Sequence, residues 1–356
     1  MASNLLQTPA LHAGTIPFSR PPTPGVHPLQ IGFCGLGAMG YLMARNLANS
    51  FNSQPPLIVY NRTVEKSQKL LAELGASAIK VADTLDQLAT ECDVIFTCLA
   101  NDAVVISVYN EFAKALAQSP PTKAKIFVEM GTNYPALAGD LDRMLSSFPH
   151  THFITSPIFG APPAADKATL VIAMSGDYRS KKEVAFLLVP AVGRKVIDLG
   201  ENVEKASTLK LIGNGNLAAI LELLGETLTL GEKSGIGQQT VYDLITEIMP
   251  APAIISYGKK MINDSFDGSI GFSMDGGIKD SSHVLRLSAE LNCPMPAVSN
   301  AHRSMITTRA IHQAQVVSGT QQWDIIDESA LIASSRVAAG LDPFNSKKGT
   351  AVVREE

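Results

Sequence analysis

Cysteine is scarce in this chain of 356 residues, and its few copies form neither a CxxC pair nor a metal-binding spacing. Three of the four lie in or beside apolar segments, where cysteine behaves as a small hydrophobe. His150 and His152 have the spacing of metal ligands, but no third ligand clusters with them, so we predict no metal site. The pattern indicates a reducing compartment, with the cytoplasm as the default. The four cysteines are Cys34, Cys92, Cys98 and Cys293.

Long apolar runs and basic stripes are also missing. The longest apolar stretch, residues 217–230, is interrupted by Glu222 and Glu226 and is too short to span hydrocarbon, so no membrane-spanning helix is predicted. The net charge is −4, the sequence pI is near 6.0, and no block of Lys or Arg forms a patch that would hold a phosphate backbone. These absences exclude membrane and nucleic acid as predicted partners.

Acidic residues are absent from the first 28 positions, which carry a single arginine, Arg20, and a cluster of prolines. We predict a disordered tail over residues 1–28. A mitochondrial transit signal is the alternative, but such signals are normally rich in arginine. A second tail is predicted over residues 341–356.

A chain of this length is expected to form two domains rather than a single hydrophobic core. Its content of 46% hydrophobic and 17% charged residues is ordinary for a globular enzyme. Over residues 29–200, short apolar runs alternate with longer periodic segments, which predicts a Rossmann-type, doubly wound parallel sheet. Residues 203–234 form one long helical pattern, and the domain over residues 201–340 is predicted to be all-helical. The predicted strands are residues 29–34, 57–60, 94–98, 125–129, 152–155, 170–174 and 195–199.

A glycine-rich segment, GFCGLGAMG, follows the first apolar run and opens a helical pattern. Glycines at this spacing let backbone amides and a helix N-terminus approach a pyrophosphate, and the second apolar run follows at the distance that a βαβ unit requires. We therefore predict a dinucleotide cofactor. The residues expected to contact it are Gly35, Leu36, Gly37, Ala38 and Met39.

The second apolar run ends in Asn61-Arg62-Thr63 rather than in the Asp or Glu that would accept hydrogen bonds from the 2′-hydroxyl of NAD. All three side chains are suited to donate to a 2′-phosphate. This turn favours NADP as the cofactor and makes residues 29–200 an NADP-binding domain. The alternative is that Arg62 is a solvated residue at a helix start.

With these motifs, the chain resembles the β-hydroxyacid dehydrogenases, which include 3-hydroxyisobutyrate dehydrogenases and glyoxylate or succinic semialdehyde reductases and are related to 6-phosphogluconate dehydrogenase. The similarity covers about residues 29–340. It implies a Rossmann-type domain, a long interdomain helix and a helical dimerisation and substrate domain, in homodimers or dimers of dimers that share the active site. The resemblance also places two loops at the nicotinamide half of the cofactor: Leu99, Ala100 and Asn101, and Gly131, Thr132 and Asn133.

The family's substrate loop normally reads Pro, an apolar residue, then Ser-Gly-Gly. Here the segment from Pro157 reads PIFGAPP. Phe159 removes the hydroxyl that would donate to a substrate carboxylate, and the prolines remove backbone N–H donors. Gly160 and Ala161 keep theirs. We expect Phe159, Gly160 and Ala161 to bind substrate, and the departure favours a larger or more apolar one.

Lys210 is the candidate for proton transfer. It lies four residues before Asn214, so the two share one helix face. The family pattern places two Asn three and four positions after its catalytic lysine, and Gly213 replaces the first of them here. By resemblance, Lys210 and Asn214 are the catalytic residues. Gly213 and Gly215 in this helix are expected to mark close approach of a cofactor or a neighbouring helix.

A last motif, Phe272-Ser273-Met274 followed by Lys279-Asp280, is similar to the family's Lys-Asp segment, whose lysine reaches the cofactor. The resemblance therefore assigns Lys279 to cofactor binding.

The expected activity is hydride transfer between NADPH and the carbonyl or hydroxyl carbon of a small carbonyl compound or hydroxy acid. Two alternatives stay open. An imine reductase shares the glycine loop and the helical domain but generally lacks the lysine. A non-catalytic NADP-binding dimerisation module would be expected to lose the lysine or the cofactor glycines.

Overall fold

The computed structural model describes residues 16–19, 28–50 and 55–348. The chain divides into two compact units, Met1–Lys210 and Leu211–Glu356, which we call unit 1 and unit 2. The division falls inside the long helix, ten residues beyond the boundary expected from the sequence. The domain limits set at residues 200 and 340 remain predictions.

Unit 1 is built around one sheet. Its six-strand section follows the order β3-β2-β1-β4-β5-β6 with all neighbours parallel, which is the doubly wound arrangement with its switch point between β1 and β4. The strands among the described residues are β1 Ile31–Cys34, β2 Leu57–Tyr60, β3 Ile79–Val81, β4 Val94–Thr97, β5 Lys125–Glu129, β6 Thr151–Thr155, β7 Ile158–Phe159, β8 Leu170–Gly176 and β9 Gly193–Asp198.

The far end of the otherwise parallel sheet contains an antiparallel strand, which the sequence analysis did not predict. Strand β8 runs antiparallel to both β6 and β7, and only β9 returns parallel to β8. The chain between β7 and β8 contains a single helix of five residues, Pro162–Asp166. A parallel crossover needs a longer connection, so the strand turns back instead.

Helices cover both faces of this sheet, so its central strands are buried on both sides. Side chains alternate between the faces: Phe33 and Phe96 belong to one core, whereas Ile95 and Phe127 belong to the other. The helices are α1 Ala38–Ser50, α2 Val64–Leu74, α3 Leu85–Glu91, α4 Asp102–Gln118, α5 Pro135–Leu145, α6 Pro162–Asp166 and α7 Tyr178–Leu188.

Part of the expected N-terminal tail is packed. Phe18 is buried, its ring meets Tyr178 of α7 edge-on at a centroid distance of 5.7 Å, and the Lys181 ammonium lies 5.8 Å from the same ring. Burial of an aromatic ring on α7 therefore orders residues 16–19. The rest of this expectation, up to residue 27, lies outside the described residues.

Helix α8, Glu204–Lys233, is continuous across the division between the units. Unit 2 is helical, as expected, and among the described residues no helix is long and apolar enough to cross a membrane. A Cβ on Gly215 would lie 3.0 Å from Val284, so this glycine marks close packing of a neighbouring helix. The remaining elements are α9 Gln238–Ile248, α10 Pro252–Ile262, α11 Met274–Glu290, α12 Pro296–Ser318, a 3₁₀ turn Glu328–Leu331 and α13 Ile332–Ala338.

The described part of the expected C-terminal tail, residues 341–348, is also packed. Phe344 is buried against Phe266 and Trp323, and the backbone N–H of Ser346 donates to Asp264 at 2.9 Å. Apolar burial and a charge-assisted hydrogen bond hold a segment that looked frayed from its composition. Residues 349–356 lie outside the described ranges.

Candidate active site

The glycine turn after β1 contains two glycines that the protein itself requires. Gly35 has φ of +100°, and a Cβ there would overlap the carbonyl oxygen of Cys98. A Cβ on Gly40 would overlap the carbonyl oxygen of Gly35, because helix α1 packs directly on the turn. These two positions set the backbone path and bring α1 against the end of β4.

Gly37 is different, since it is exposed and a Cβ added to it would meet nothing within 4 Å. Protein packing does not demand a glycine here, so the space lies open to something outside the chain. Gly37 directly precedes α1, whose first residue, Ala38, is also exposed, while Met39 is half-buried. This open helix N-terminus fits the pyrophosphate of a dinucleotide.

Asn61 links the glycine turn to the turn after β2. Its side-chain oxygen accepts a hydrogen bond from the backbone N–H of Leu36 at 2.8 Å, and its amide group donates to the carbonyl of Thr63 at 2.9 Å. The Leu36 side chain is buried in the core. Both residues thus have a structural use inside unit 1 that the sequence alone does not reveal.

Arg62 is exposed at the end of β2, and Thr63 beside it is the N-cap residue of α2 without a side-chain capping bond. A guanidinium next to a helix N-terminus suits a phosphate rather than a hydroxyl. The position therefore fits the 2′-phosphate of NADP.

The loops after β4 and β5 adjoin each other at the carboxyl edge of the sheet. A Cβ on Gly131 would lie 3.2 Å from the carbonyl oxygen of Leu99. Ala100 is exposed, whereas Leu99 and Thr132 are half-buried. Asn101, by contrast, accepts a hydrogen bond from the N–H of Val104 at 3.0 Å and so caps α4.

Glu129, at the end of β5, is a buried carboxyl group that the sequence analysis missed. It accepts hydrogen bonds from the Thr97 hydroxyl, from the N–H of Gly131 at 2.8 Å and from the amide of Asn133 at 3.0 Å. Burial raises the pKa of Glu129 to about 7, although these three donors act in the opposite direction. The available signal was an acidic residue directly after the apolar run Ile-Phe-Val of the strand KIFVE and close before a glycine turn.

Lys210 lies beside the predicted substrate loop within unit 1. Its Nζ atom is 4.8 Å from the centroid of the Phe159 ring, a distance at which an ammonium is attracted to an aromatic face. It also lies near Cys98: burial and Glu129 raise the pKa of that thiol to about 12, and the Lys210 charge partly offsets the rise. The structure thus brings Lys210, Phe159 and the end of β4 together.

The rest of the substrate loop offers few hydrogen-bond donors. Gly160 and Ala161 are exposed, and the carbonyl of Ala161 accepts from the N–H of Ala164 at 2.8 Å. The helix that follows begins with Pro162 and Pro163, which have no N–H to offer a ligand.

Asp280, a buried carboxylate of unit 2, holds the two predicted site residues of that unit. The Asn214 amide donates to one of its oxygens at 2.6 Å, and the Lys279 ammonium lies 2.8 Å from the other. The sequence motif contained Asp280 but gave it no role. Its position shows that Asn214 and Lys279 share one anchor.

A glycine turn of this shape at the switch point of a doubly wound sheet defines an NAD(P)-binding protein. Two family models match the chain: the NAD binding domain of 6-phosphogluconate dehydrogenase over residues 30–200, and the NAD-binding domain of NADP-dependent 3-hydroxyisobutyrate dehydrogenase over residues 205–319. The chain belongs to the β-hydroxyacid dehydrogenase family, whose members are oxidoreductases.

Three known proteins illustrate the relationship. The uncharacterized oxidoreductase YfjR of Bacillus subtilis is 30% identical over 77% of this chain and 92% of its own length. The NADH-dependent oxidoreductase ucdB of Aspergillus ustus is 29% identical over 70% and 82%. The structure of Mycobacterium tuberculosis 3-hydroxyisobutyrate dehydrogenase with L-serine superposes with a TM-score of 0.69 at 23% identity, covering 87% of this chain and 99% of that one, and shows the shared fold.

Proposed function

We propose that the chain transfers a hydride between NADPH and the carbonyl carbon of a small molecule, with Lys210 as the general acid and base. One observation carries the proposal: the Lys210 amine lies 4.8 Å from the centroid of the Phe159 ring, and its charge acts on Cys98, whose carbonyl oxygen a Cβ on Gly35 would overlap. An amine with transferable protons therefore stands close to the turn that fits a dinucleotide.

In the proposed mechanism, the backbone of residues 37–39 holds the pyrophosphate, and Arg62 holds the 2′-phosphate. When bound, the nicotinamide cofactor supplies or accepts the hydride. Lys210 gives a proton from Nζ to the oxygen that gains negative charge as the carbonyl is reduced, and takes it back in the reverse direction. Asn214, one turn further along α8 and anchored by Asp280, orients the substrate oxygen.

The remaining members of the proposed site follow the sequence expectations. Leu99, Ala100 and Thr132 line the nicotinamide half of the cofactor, and Lys279 of unit 2 binds the cofactor. The choice of NADP over NAD rests on Arg62, because relatives of this chain are named for either cofactor. A homodimer or dimer of dimers in the cytoplasm completes the proposal.

The proposed substrate is a carbonyl compound or hydroxy acid with an apolar substituent. The half-buried Phe159 ring provides an apolar wall next to Lys210, and the loop around it has no hydroxyl and few N–H donors. A substrate carboxylate would depend on the backbone of Gly160 and Ala161. A neutral apolar group would instead gain from contact with the ring.

The decisive test is Lys210→Ala, assayed by NADPH consumption on a panel of aldehydes and ketones. Removal of a positioned acid lowers turnover by about 10²- to 10⁴-fold. We expect NADPH affinity, measured by fluorescence titration, to stay near that of the wild type. Loss of NADPH binding in this variant would contradict the assignment.

Lys210→Arg is the matched control, because arginine keeps a cation over the Phe159 ring but does not release a proton at neutral pH. We expect it to be as inactive as Lys210→Ala. Full activity would mean that position 210 supplies only charge. The panel should include a cyclic imine: preference for it would indicate an imine reductase, and tight NADPH binding without any turnover would indicate a binding module.

A further inference from the structure

The connection between β7 and β8 contains the predicted substrate loop, and the sheet fixes it at one end. Phe159 of β7 pairs with Val171 of β8. Residues 160–169 then leave the sheet: they begin with Gly160 and Ala161, which keep their backbone N–H groups, and continue as helix α6. A helix of five residues is too short to be stable by itself. Contacts from elsewhere in unit 1 must therefore hold this segment.

The chain just after α6 adopts a conformation that its own sequence does not favour. Ala168 has φ of +54°, in the left-handed region where a Cβ is strained. Its N–H donates to the carbonyl of Ala165 at 3.1 Å, and the N–H of Thr169 donates to the carbonyl of Ala164 at 2.9 Å, which closes the end of the helix. An alanine persists in this conformation where its surroundings impose it.

Asn46 of α1, the helix that begins at the glycine turn, reaches α6 directly. Its side-chain nitrogen donates to the carbonyl of Ala165 at 2.8 Å and to that of Asp166 at 3.3 Å. Two carbonyl oxygens can be served only by the nitrogen of an amide, so this side chain has one orientation that fits. Ala165 is fully buried in the same core as Met43 and Leu47 of α1. Helix α1 therefore holds the end of α6 by hydrogen bonding and by apolar packing.

Arg45, the residue before Asn46, adds an ion pair to the same contact. It pairs with Asp166 and lies 3.8 Å from Glu73 of α2. The side chains of Arg45 and Asp166 are 23% and 52% exposed, and an ion pair in water contributes little. The hydrogen bond from the half-buried Asn46 is better shielded. Asn46 is thus the main polar link between α1 and α6.

We propose that Asn46 is a positioning residue: by holding α6, it keeps the backbone of Gly160 and Ala161 in the conformation that binds substrate. The inference rests on the proposed role of these two residues in substrate binding. When the loop spends less time in the competent conformation, substrate affinity falls by the same factor, whereas the bound complex reacts as before. Asn46 lies more than two helical turns from Gly37, so its loss should leave cofactor binding intact.

The first test is the steady-state kinetics of Asn46→Ala on the aldehyde or ketone that the wild type reduces fastest. KM for this substrate should rise about five- to tenfold, the size expected for loss of a shielded hydrogen bond, while kcat and the Kd of NADPH stay within about twofold. Asn46→Asp has the same shape without N–H donors and should raise KM at least as much. Asn46→Gln keeps the amide and should recover part of the affinity.

Asn49→Ala is the matched control, because Asn49 lies three residues further along the same helix and is exposed. It should leave KM unchanged. Arg45→Ala should raise KM by less than about twofold, as expected for an exposed ion pair.

The second test is amide hydrogen exchange of residues 160–169, followed by mass spectrometry, which does not require turnover. The protected amides of this segment include those of Ala164, Ala165 and Thr169. Exchange should be faster in Asn46→Ala than in the wild type or in Asn49→Ala. Thermal unfolding of each variant shows whether the protein as a whole remains folded.

Unchanged exchange of residues 160–169 in a folded Asn46→Ala would overturn the inference, whether or not the protein has turnover. Faster exchange with an unchanged KM would also overturn it, as would a loss of kcat or of NADPH affinity in place of the rise in KM. A wild type that binds NADPH but reduces no carbonyl compound would overturn the proposed reaction and the substrate role of the loop. The exchange experiment would then still decide whether Asn46 holds α6.

Discussion

Two of the cationic residues proposed for the site, Arg62 and Lys210, lie in contrasting surroundings. Arg62 is exposed at the end of β2, whereas Lys210 is half-buried over the Phe159 ring. A side chain with little packing can be removed at little cost to the fold, so a change at Arg62 isolates its effect on the ligand.

Arg62→Ala should weaken NADPH binding by about 10- to 100-fold, because a hydrogen bond to a charged group contributes about 1.5–3 kcal/mol. NADH affinity should change less than about twofold, since NADH has no 2′-phosphate to interact with Arg62. Fluorescence titration with both cofactors measures this. Arg143→Ala, at an exposed arginine of α5, serves as the control and should alter neither affinity. Equal weakening of both cofactors by Arg62→Ala would refute the phosphate role.

Signals that depend on local chemistry are visible in the sequence, whereas roles that depend on distant partners are not. The glycine spacing and Arg62 are local signals. Asn61 and Glu129 take their roles from Leu36 and Thr97, which lie 25 and 32 positions away in the chain. No periodicity encodes such pairs, so a buried glutamate at a strand end looks like an ordinary boundary residue.

At the scale of elements, the length of a helix or strand determines whether its residue pattern can be recognised in the sequence. The long helical pattern at residues 203–234 matches helix α8 within one residue at each end. Strands β3 and β7 escaped notice because they have three and two residues, too few to show alternation. The antiparallel direction of β8 depends on the short connection between β7 and β8. The pattern of apolar residues does not predict strand direction.

The glycine turn offers a matched pair of substitutions with opposite outcomes. Gly40→Ala forces a Cβ onto the backbone of Gly35, so the free energy of unfolding should fall by about 1–3 kcal/mol or more. Gly37→Ala places its Cβ in open space, so stability should stay unchanged or rise by up to about 1 kcal/mol.

Gly37→Ala should weaken NADPH binding although it leaves stability intact, because the added methyl group occupies the space expected to receive the pyrophosphate. Urea unfolding and NADPH titration of both variants measure the two effects separately. A Gly37→Ala variant that binds NADPH as tightly as the wild type would place the pyrophosphate elsewhere.

At the scale of the whole molecule, each compact unit contains a fully buried glutamate. Glu129 belongs to unit 1, and Glu328 of unit 2 accepts a hydrogen bond from the Tyr257 hydroxyl at 2.5 Å. Burial raises the pKa of Glu328 to about 8, with a further contribution from the neighbouring Asp327. The folded unit therefore binds this proton more tightly than the unfolded chain does.

Unit 2 should consequently lose stability as the pH rises. The contribution of Glu328 to stability is fully present below pH 4.5, the ordinary pKa of a glutamate in an unfolded chain. It is lost progressively as the pH rises to about 8, with a limiting slope of about 1.4 kcal/mol per pH unit. Trp323, the single tryptophan of the sequence, packs against Phe266 in unit 2, so its fluorescence reports unfolding there.

Glu328→Gln should flatten this pH dependence, whereas Glu247→Gln, at an exposed glutamate of α9, should leave it unchanged. Urea unfolding at several pH values between about 5 and 8 provides the measurement. An unaltered slope in Glu328→Gln would assign the titration to another group.

The bridge made by Asn61 has a consequence for how coenzyme usage can evolve or be engineered in this scaffold. It ties the glycine turn after β1 to the turn after β2, which are the turns proposed to hold the diphosphate and the ribose, and Arg62 is exposed beside this link. If the proposed roles hold, cofactor preference and overall cofactor affinity can be changed separately. We expect an exchange at position 62 to change which nicotinamide dinucleotide is preferred, and an exchange at position 61 to weaken the binding of both.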